Sequence, residues 1–546
     1  MELFRERGLR EFLSRVDARV DLAIEAGRFD PSQARLLAAC AARYRPLRKR
    51  DHFTDPLAPF YLIARAQGAV LNEQAEALAA FCQLYVLALD LLDDVQDDDL
   101  YGKPHEHLGA AVAINDGLTL LFLALSQLER CMSLEREPLR KLAYLKIVNR
   151  VALTTGRGQH LDLTGGSRPR STDEVLAISR EKTASLALIC ECAALYSGCT
   201  EATHARYRAL GESLAQFVQL FDDVRDLYGK PRSPDLETGK TSYPLACFRE
   251  HADAQQRAEL ETLRDALPAS LPEVRRLLHA SGALTQCARA LERFRREMHA
   301  QVAALSSASP ALRTLLFVID RLADAIYAAK PLTSTSGLFA PKTRFHERVR
   351  AIAATQAARL RALGLQAPPP GLTPWHREHW LYDPRRQQIF YPDWEGLPGD
   401  TLGLPRRLLE LDDAQKLARL LDRQLPLLVA HELFHYYRSA RGQLTADKWH
   451  EEWAANVLAV SYAAEYEPDA LSATLEMAKR VRHLHEHRLT PSGQALLERL
   501  VSGSASEAPV SYAVDPIEYS VLQLELLERL ARDPRALAPA LTMLLG

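Results

Sequence analysis

The chain lacks the features that would take it out of the ordinary globular class. Its 546 residues carry a formal charge of −2, so no basic excess argues for a nucleic-acid partner or an acidic membrane surface. No uninterrupted apolar run is read as reaching the roughly eighteen residues that span a bilayer. The N-terminus, Met1 to Val16, is charged and amphipathic, unlike a signal peptide. The expectation is a cytoplasmic protein with no membrane span and no nucleic acid. The eight cysteines contain no CxxC pair, which argues against a thiolate zinc site and leaves scattered buried thiols. Two further absences divide the chain: no cysteine follows Cys287 and no tryptophan precedes Trp375. Halves of such different composition point to two domains, as the length does.

What is present supplies ample core, with 47% hydrophobic and 25% charged residues. Residues 1–330 read as nearly continuous helix, broken at Gly102-Lys103-Pro104, Thr164-Gly165-Gly166, Gly229-Lys230-Pro231 and Ser233-Pro234. Residues 331–343 have no periodicity and read as a linker. A helix over about 344–363 then leads to a Pro-rich stretch, the alternating segment His379 to Pro392 reads as a short hairpin, and helices resume at Arg406. The expected fold is mainly α: an all-α bundle over 1–330, then a smaller α+β domain over 344–546.

Two acidic clusters dominate the first half, Asp93-Asp94-Val95-Gln96-Asp97 and Asp222-Asp223-Val224-Arg225-Asp226. On a helix, residues four apart share a face, so each DDxxD presents its carboxylates together. Hard oxygen ligands in this number suit Mg²⁺ bridged to phosphate oxygens. Two such faces across a bundle would clamp a diphosphate and make it a leaving group. The competing reading is a solvated acidic face.

Lys182-Thr183, Gln219 and Lys240 stand between and after the clusters. With the strings LLDDVQD, GRGQHLDL, REKTASL, FVQLFDDVRD and DLETGKTSYPL, the sequence resembles the trans-isoprenyl diphosphate synthase (polyprenyl synthetase) family over roughly residues 60–250. The resemblance implies an isoprenoid-synthase-like bundle acting on an allylic prenyl diphosphate, commonly as a homodimer. It implies two Mg²⁺ held by Asp93, Asp94 and Asp97, and a third by Asp222, Asp223 and Asp226. Lys182 and Lys240 would touch the diphosphate, with Gln159, Thr183 and Gln219 beside it. Asp90, one turn before the first cluster, would extend the metal face or line the hydrocarbon pocket, where it could steady a cation or take a proton. Ala88 and Leu89 are not bulky where the family's aromatic residues shorten the product, which implies room for a C15 to C20 chain with Tyr85 as a candidate floor; the expected substrate is an allylic prenyl diphosphate of C10 to C20.

There are departures from the family pattern. Leu100 and Tyr101 stand where an arginine pair would grip the second substrate, isopentenyl diphosphate, and a bidentate guanidinium is not replaced by such side chains. The N-terminal basic string is reduced to Arg43-Tyr44-Arg45-Pro46 or Arg48-Lys49-Arg50. Ionisation is expected to be retained and condensation with isopentenyl diphosphate weakened.

The second half carries His431-Glu432-Leu433-Phe434-His435, which puts two imidazoles on one helical face with a carboxylate beside them. Downstream, Glu452-Trp453-Ala454-Ala455-Asn456 completes a pattern, HExxH then ExxAN, that resembles gluzincin-type metallopeptidases. The resemblance implies one Zn²⁺ on His431, His435 and Glu452, leaving a position for water whose pKa falls toward ~7, with Glu432 as general base. Glu451 competes as third ligand. His483, His485 and His487 are a rival cluster or an exposed turn, and His376 and His379 read as surface residues.

The expected function is bifunctional, joining Mg²⁺-dependent ionisation of an allylic prenyl diphosphate (terpene synthase or prenyl transferase) to a zinc hydrolase. Two alternatives stand beside it: an enzyme that prenylates and trims a peptide substrate, and a chain-elongating polyprenyl diphosphate synthase with an accessory domain.

Overall fold

In the computed structural model, the residues described are 7–45, 55–100, 103–165, 168–229, 233–305, 309–328, 343–375, 377–384, 387–395, 402–445, 447–485, 489–502 and 516–545. The chain divides into two compact units, Met1–Leu332 and Thr333–Gly546. The expected linker at 331–343 lies outside the described residues except for Thr343, as do Tyr101, Arg48 to Arg50, His376 and His487.

The first unit is helical throughout its described length. Its centre is α1 (Glu73–Gln96), which starts where the Asn72 side chain accepts the Gln74 and Ala75 N–H groups, with Glu73 and Glu76 in the first turn. Ala77, Leu78, Ala79, Ala80 and Phe81 are fully buried, so the helix is apolar nearly all round. It ends at Gln96, with Asp97 as its C-cap. Next come α2 (Ala110–Leu134) and α3 (Pro138–Thr164). The short α4 (Thr172–Lys182) begins in a capping box made by Ser171 and Glu174, and Thr183 separates it from α5 (Ala184–Tyr196). The long α6 (Glu201–Gly229) carries the second acidic cluster. Finally α7 (Pro234–Thr238) ends on Gly239, whose φ of 80° turns the chain to deliver Lys240.

Neither α1 nor α2 carries an unbroken apolar run of membrane-spanning length, since Asp90 interrupts α1 and Asp116 interrupts α2. Even so, both are long and apolar enough to cross a membrane by length and composition. The most apolar window of α1 is 78% buried, as in a core helix, whereas that of α2 is 44% buried.

The second unit packs helices beside one small sheet. α8 (Arg344–Ala362) precedes strands β1 (Gly371–Trp375), β2 (Leu381–Asp383) and β3 (Gln388–Pro392), in the order β1-β3-β2. β2 and β3 form the expected hairpin, antiparallel with Tyr382 opposite Ile389. β1 pairs parallel to β3, with Pro374 opposite Tyr391. Sequence patterning missed β1 because the prolines before and within it argue against a strand, yet an edge position tolerates Pro374. Then follow α9 (Ala414–Ala440), α10 (Lys448–Tyr466), α11 (Pro468–Leu484), α12 (Pro516–Ala531) and α13 (Leu537–Leu545). Leu433, Phe434, Leu458, Tyr462, Ile389 and Tyr391 form one core, so α9 and α10 pack with the sheet around a shared apolar centre.

Candidate functional site

In the first unit, the end of α1 meets α3, the break after α4, and the turn after α7. Gly158 permits this: a Cβ there would lie 2.3 Å from the Lys182 backbone nitrogen, so α3 could not approach the α4 terminus with any larger residue. The close approach sets Gln159 beside α1, where its Nε2 donates to Asp93 Oδ1 at 2.7 Å and to Gln96 Oε1 at 2.8 Å.

Lys182 and Lys240 converge on one carboxylate that sequence reasoning did not single out. Asp162 Oδ2 lies 3.0 Å from Lys182 Nζ and 2.9 Å from Lys240 Nζ. Burial opposes ionisation of Asp162, but the two ammonium groups outweigh it and hold its pKa at about 2. The same lysines reach the first cluster, Lys182 at 3.0 Å from Asp93 and Lys240 at 2.8 Å from Asp97. Burial also works against the Lys240 cation, yet Asp162, Asp235 and Asp97 raise its pKa above the ordinary value. Asp162 stands in GRGQHLDL, the string that supplied Gln159, and its signal was its spacing of three from that glutamine on α3.

The second cluster lies near the same lysine, since Asp235 interacts electrostatically with Lys240, Asp223, Asp226 and Asp97. Asp223 accepts from Gln219 Nε2 at 2.8 Å and from the Tyr243 N–H at 2.9 Å. Asp226 accepts from Ser233 Oγ at 2.8 Å. Arg225 lies inside the motif and pairs with Asp222 at 2.9 Å, on its exposed side. Thr183 is buried, its hydroxyl donating to the Ser179 carbonyl at 2.7 Å, so it shapes the break between α4 and α5.

Burial raises Asp94 and Asp223 to about 6 and Asp235 to about 7. Carboxylates crowded and desolvated in this way favour an added cation. The donor set, all oxygen, fits Mg²⁺. The two clusters are not drawn to a point: among the described residues, the one group of three or more His, Cys, Asp or Glu residues with ligand atoms mutually within 4.8 Å is in the second unit.

Basic residues flank the first cluster on its other side. Lys103 Nζ lies 2.7 Å from Asp94 and 3.1 Å from Asp99, and Arg43 lies 3.5 Å from Asp94 and 3.7 Å from Asp90. This places Arg43 at the cluster, whereas Arg45 pairs with Asp21 at 2.7 Å and Pro46 lies outside the described residues. Below it, Tyr85 is 3% exposed and its ring centroid lies 5.5 Å from that of Phe81.

In the second unit, α9 and α10 bring together His431, His435 and Glu452. His431 Nε2 and His435 Nε2 are 3.1 Å apart, and Glu452 Oε2 lies 3.4 Å and 3.9 Å from them. A tetrahedral zinc with ligands at ~2.0–2.1 Å has ligand–ligand edges of about 3.4 Å. The triad therefore fits zinc in both element type and spacing.

Glu451 points elsewhere. Its Oε1 faces His435 Nδ1 at 3.2 Å, and Arg438 grips both its oxygens at 2.9 and 3.0 Å. Arg438, 3% exposed, also donates to the Leu544 carbonyl of α13 at 2.6 Å. Glu451 thus holds the His435 ring through its second nitrogen. Burial raises Glu432 to about 7, although the Tyr382 N–H of β2 donates to it. Its Oε2 is buried without a hydrogen-bond partner among the described residues. Of the rival histidines, His485 is buried with Nε2 2.9 Å from the Leu408 carbonyl, His483 is exposed, and the His379 carbonyl accepts from Trp375.

The first unit thus brings acidic oxygen donors, which suit cations, close to two lysine ammonium groups, which suit anionic oxygens. The polyprenyl synthetase family model matches residues 60–280, within that unit. Farnesyl diphosphate synthase of Escherichia coli (strain K12) is 31% identical over 233 residues, 39% of this chain and 76% of that protein. Geranylgeranyl diphosphate synthase of Methanosarcina mazei is 30% identical over 197 residues, 34% of this chain and 60% of that protein's length. The chain belongs to the polyprenyl synthetase family. Among solved structures, geranylgeranyl pyrophosphate synthetase from Pyrococcus horikoshii Ot3 is 22% identical, covering 59% of this chain and 98% of that one with a TM-score of 0.48.

Proposed function

We propose that the first unit ionises an allylic prenyl diphosphate and transfers the prenyl group to an acceptor. The observation that carries this is the convergence of Lys182 and Lys240 on Asp162 beside Asp93 and Asp97. Asp93, Asp94 and Asp97 on one side and Asp222, Asp223 and Asp226 on the other would hold Mg²⁺, which when bound neutralises the leaving diphosphate. Lys182 and Lys240 donate to its oxygens as the C1–O bond breaks. The bonding pair leaves with the diphosphate, and the allylic cation remains over the apolar side chains beneath α1. Incubation with Mg²⁺ and C10, C15 or C20 diphosphates, reading diphosphate release and products, tests it. The exposed apolar residues of α2 and α3, such as Phe122 at 66% and Leu153 at 77%, favour a homodimer through that face.

Chain elongation is a second reading, favoured by Arg43 and Lys103. They stand beside Asp94 on the side away from the two lysines, where a second diphosphate would need cations in place of the missing arginine pair.

For the second unit we propose zinc-dependent hydrolysis, of a peptide bond by the gluzincin resemblance. His431, His435 and Glu452 would hold the ion, which when bound supplies Lewis acidity. Glu432 takes the proton of the attacking water and passes it to the leaving group. In the metal-free chain burial raises its pKa, the direction a general base near neutral pH needs. A prenylated peptide would give both units one substrate. Zinc analysis of the purified chain, followed by peptide-library cleavage, tests this part.

A further inference from the structure

The string Glu452-Trp453-Ala454-Ala455-Asn456 contains one polar residue that the zinc reading leaves without a task, Asn456. It follows Glu452 by four positions on α10 and so shares its face. It is 2% exposed, and a buried carboxamide must satisfy its donors. Asn456 Nδ2 donates to Gln523 Oε1 on α12 at 2.6 Å. Gln523 Nε2 in turn donates to Glu452 Oε2 at 3.2 Å, across 71 residues of sequence. That Oε2 is the atom 3.4 Å from His431 Nε2. Tyr519, one turn before Gln523 on α12, also faces Glu452 with its hydroxyl. Two helices therefore interlock through two i,i+4 pairs, Glu452 with Asn456 and Tyr519 with Gln523.

The direction of this chain follows from the chemistry of amides. A glutamine side chain has an acceptor end and a donor end. Once Asn456 donates to the oxygen of Gln523, the amide nitrogen has to face Glu452. Turned over, the amide would set NH₂ against NH₂ and oxygen against a carboxylate oxygen, losing both bonds. A free glutamate side chain samples many rotamers, and a ligand so pinned forfeits less entropy on metal binding.

We propose that Asn456 and Gln523 are positioning residues of the metal centre: Asn456 fixes the Gln523 amide, and Gln523 holds Glu452 Oε2 toward the two histidines. The proposal rests on the zinc reading of His431, His435 and Glu452. It makes α12 a part of that centre, although no residue of α12 is a ligand.

The test is zinc affinity of the full chain, by competition with a chromophoric chelator, for wild type, Gln523→Met, Asn456→Ala and the double variant. Gln523→Met keeps the side chain's shape and removes the donor, and should weaken zinc about 10- to 100-fold. Asn456→Ala should weaken it too, and the double variant should be no worse than Gln523→Met alone, because one residue acts through the other. Thermal unfolding of the metal-free proteins separates lost packing from lost ligand orientation; should Asn456→Ala fail to fold, Gln523→Met against wild type decides alone. Wild-type affinity in Gln523→Met, or losses that simply add in the double variant, overturn the proposal and leave the three-ligand site standing. A wild-type chain with no measurable zinc affinity overturns both.

Discussion

Lys240 places its Nζ 2.8 Å from Asp97 Oδ2, joining residues 143 apart in sequence. The contact puts a cation on the face of the first cluster that is proposed to hold Mg²⁺. On the proposed reading that ammonium would donate to an oxygen of the leaving diphosphate. Lys240→Ala is expected to slow diphosphate release from an allylic substrate by about 10²–10³-fold, the cost of one preorganised donor. Asp93→Ala combined with Asp97→Ala should reduce release to background in the same assay. Undiminished release by the double variant would remove the clamp from the mechanism.

Isopentenyl diphosphate is expected to be a poor acceptor, because Leu100 and Tyr101 replace the arginine pair. Product analysis with labelled isopentenyl diphosphate decides between the two readings of the first unit. Where elongation is found, Arg43→Ala and Lys103→Ala should each raise its KM for isopentenyl diphosphate about 10-fold while leaving ionisation of the allylic substrate less affected.

The acidic cleft makes stability depend on pH with a definite sign. Burial lifts Asp94 and Asp223 from 3.8 to about 6, and Asp235 from 3.8 to about 7. Between about pH 4 and 7 the folded chain binds more protons at these groups than the unfolded chain, so their contribution to stability falls as pH rises through that window. Asp162, held at about 2, titrates below it. The metal-free protein should therefore gain stability from these groups on going from about pH 7.5 to about pH 5.5, and Asp235→Asn should flatten that trend. Added Mg²⁺ should raise Tm more at the higher pH, where it does not compete with protons. Calorimetry at the two pH values, with and without Mg²⁺, checks both statements.

The neighbouring glutamates of the proposed zinc site should separate cleanly. Glu452→Gln is expected to lose zinc, as are His431→Ala and His435→Ala. Glu451→Gln should keep most of it but lower stability by about 3 kcal/mol, because buried Arg438 loses its charge partner. Glu432→Gln should hold zinc and lose hydrolysis. Metal content and thermal unfolding of the five variants distinguish these outcomes, and a Glu451→Gln chain lacking zinc would exchange the roles of the two carboxylates.

How much was legible in the sequence depended on how local each signal is. Helical periodicity, the Gly and Pro breaks, both DDxxD clusters and HExxH are patterns of neighbours three or four apart, and a helix places such residues on one face whatever else the chain does. The hairpin was readable for the same reason, with period two in place of 3.6. β1 was not, because only its edge position makes Pro374 acceptable.

The sequence by itself determined which donors are available: six aspartates and two lysines in the order of one family, and two histidines with two candidate glutamates. Tertiary structure alone decided how they are used. The choice between Glu451 and Glu452 turns on about 100° of rotation along α10, which sends one carboxylate to the histidine pair and the other to Arg438. Asp162 became the meeting point of Lys182 and Lys240 only when α3 packed on the end of α4 at Gly158. Gln523 reached Glu452 from another helix altogether. Helical spacing assigns residues to a face, but which face meets which is settled by packing between segments distant in sequence, and that is where the geometry of both sites resides.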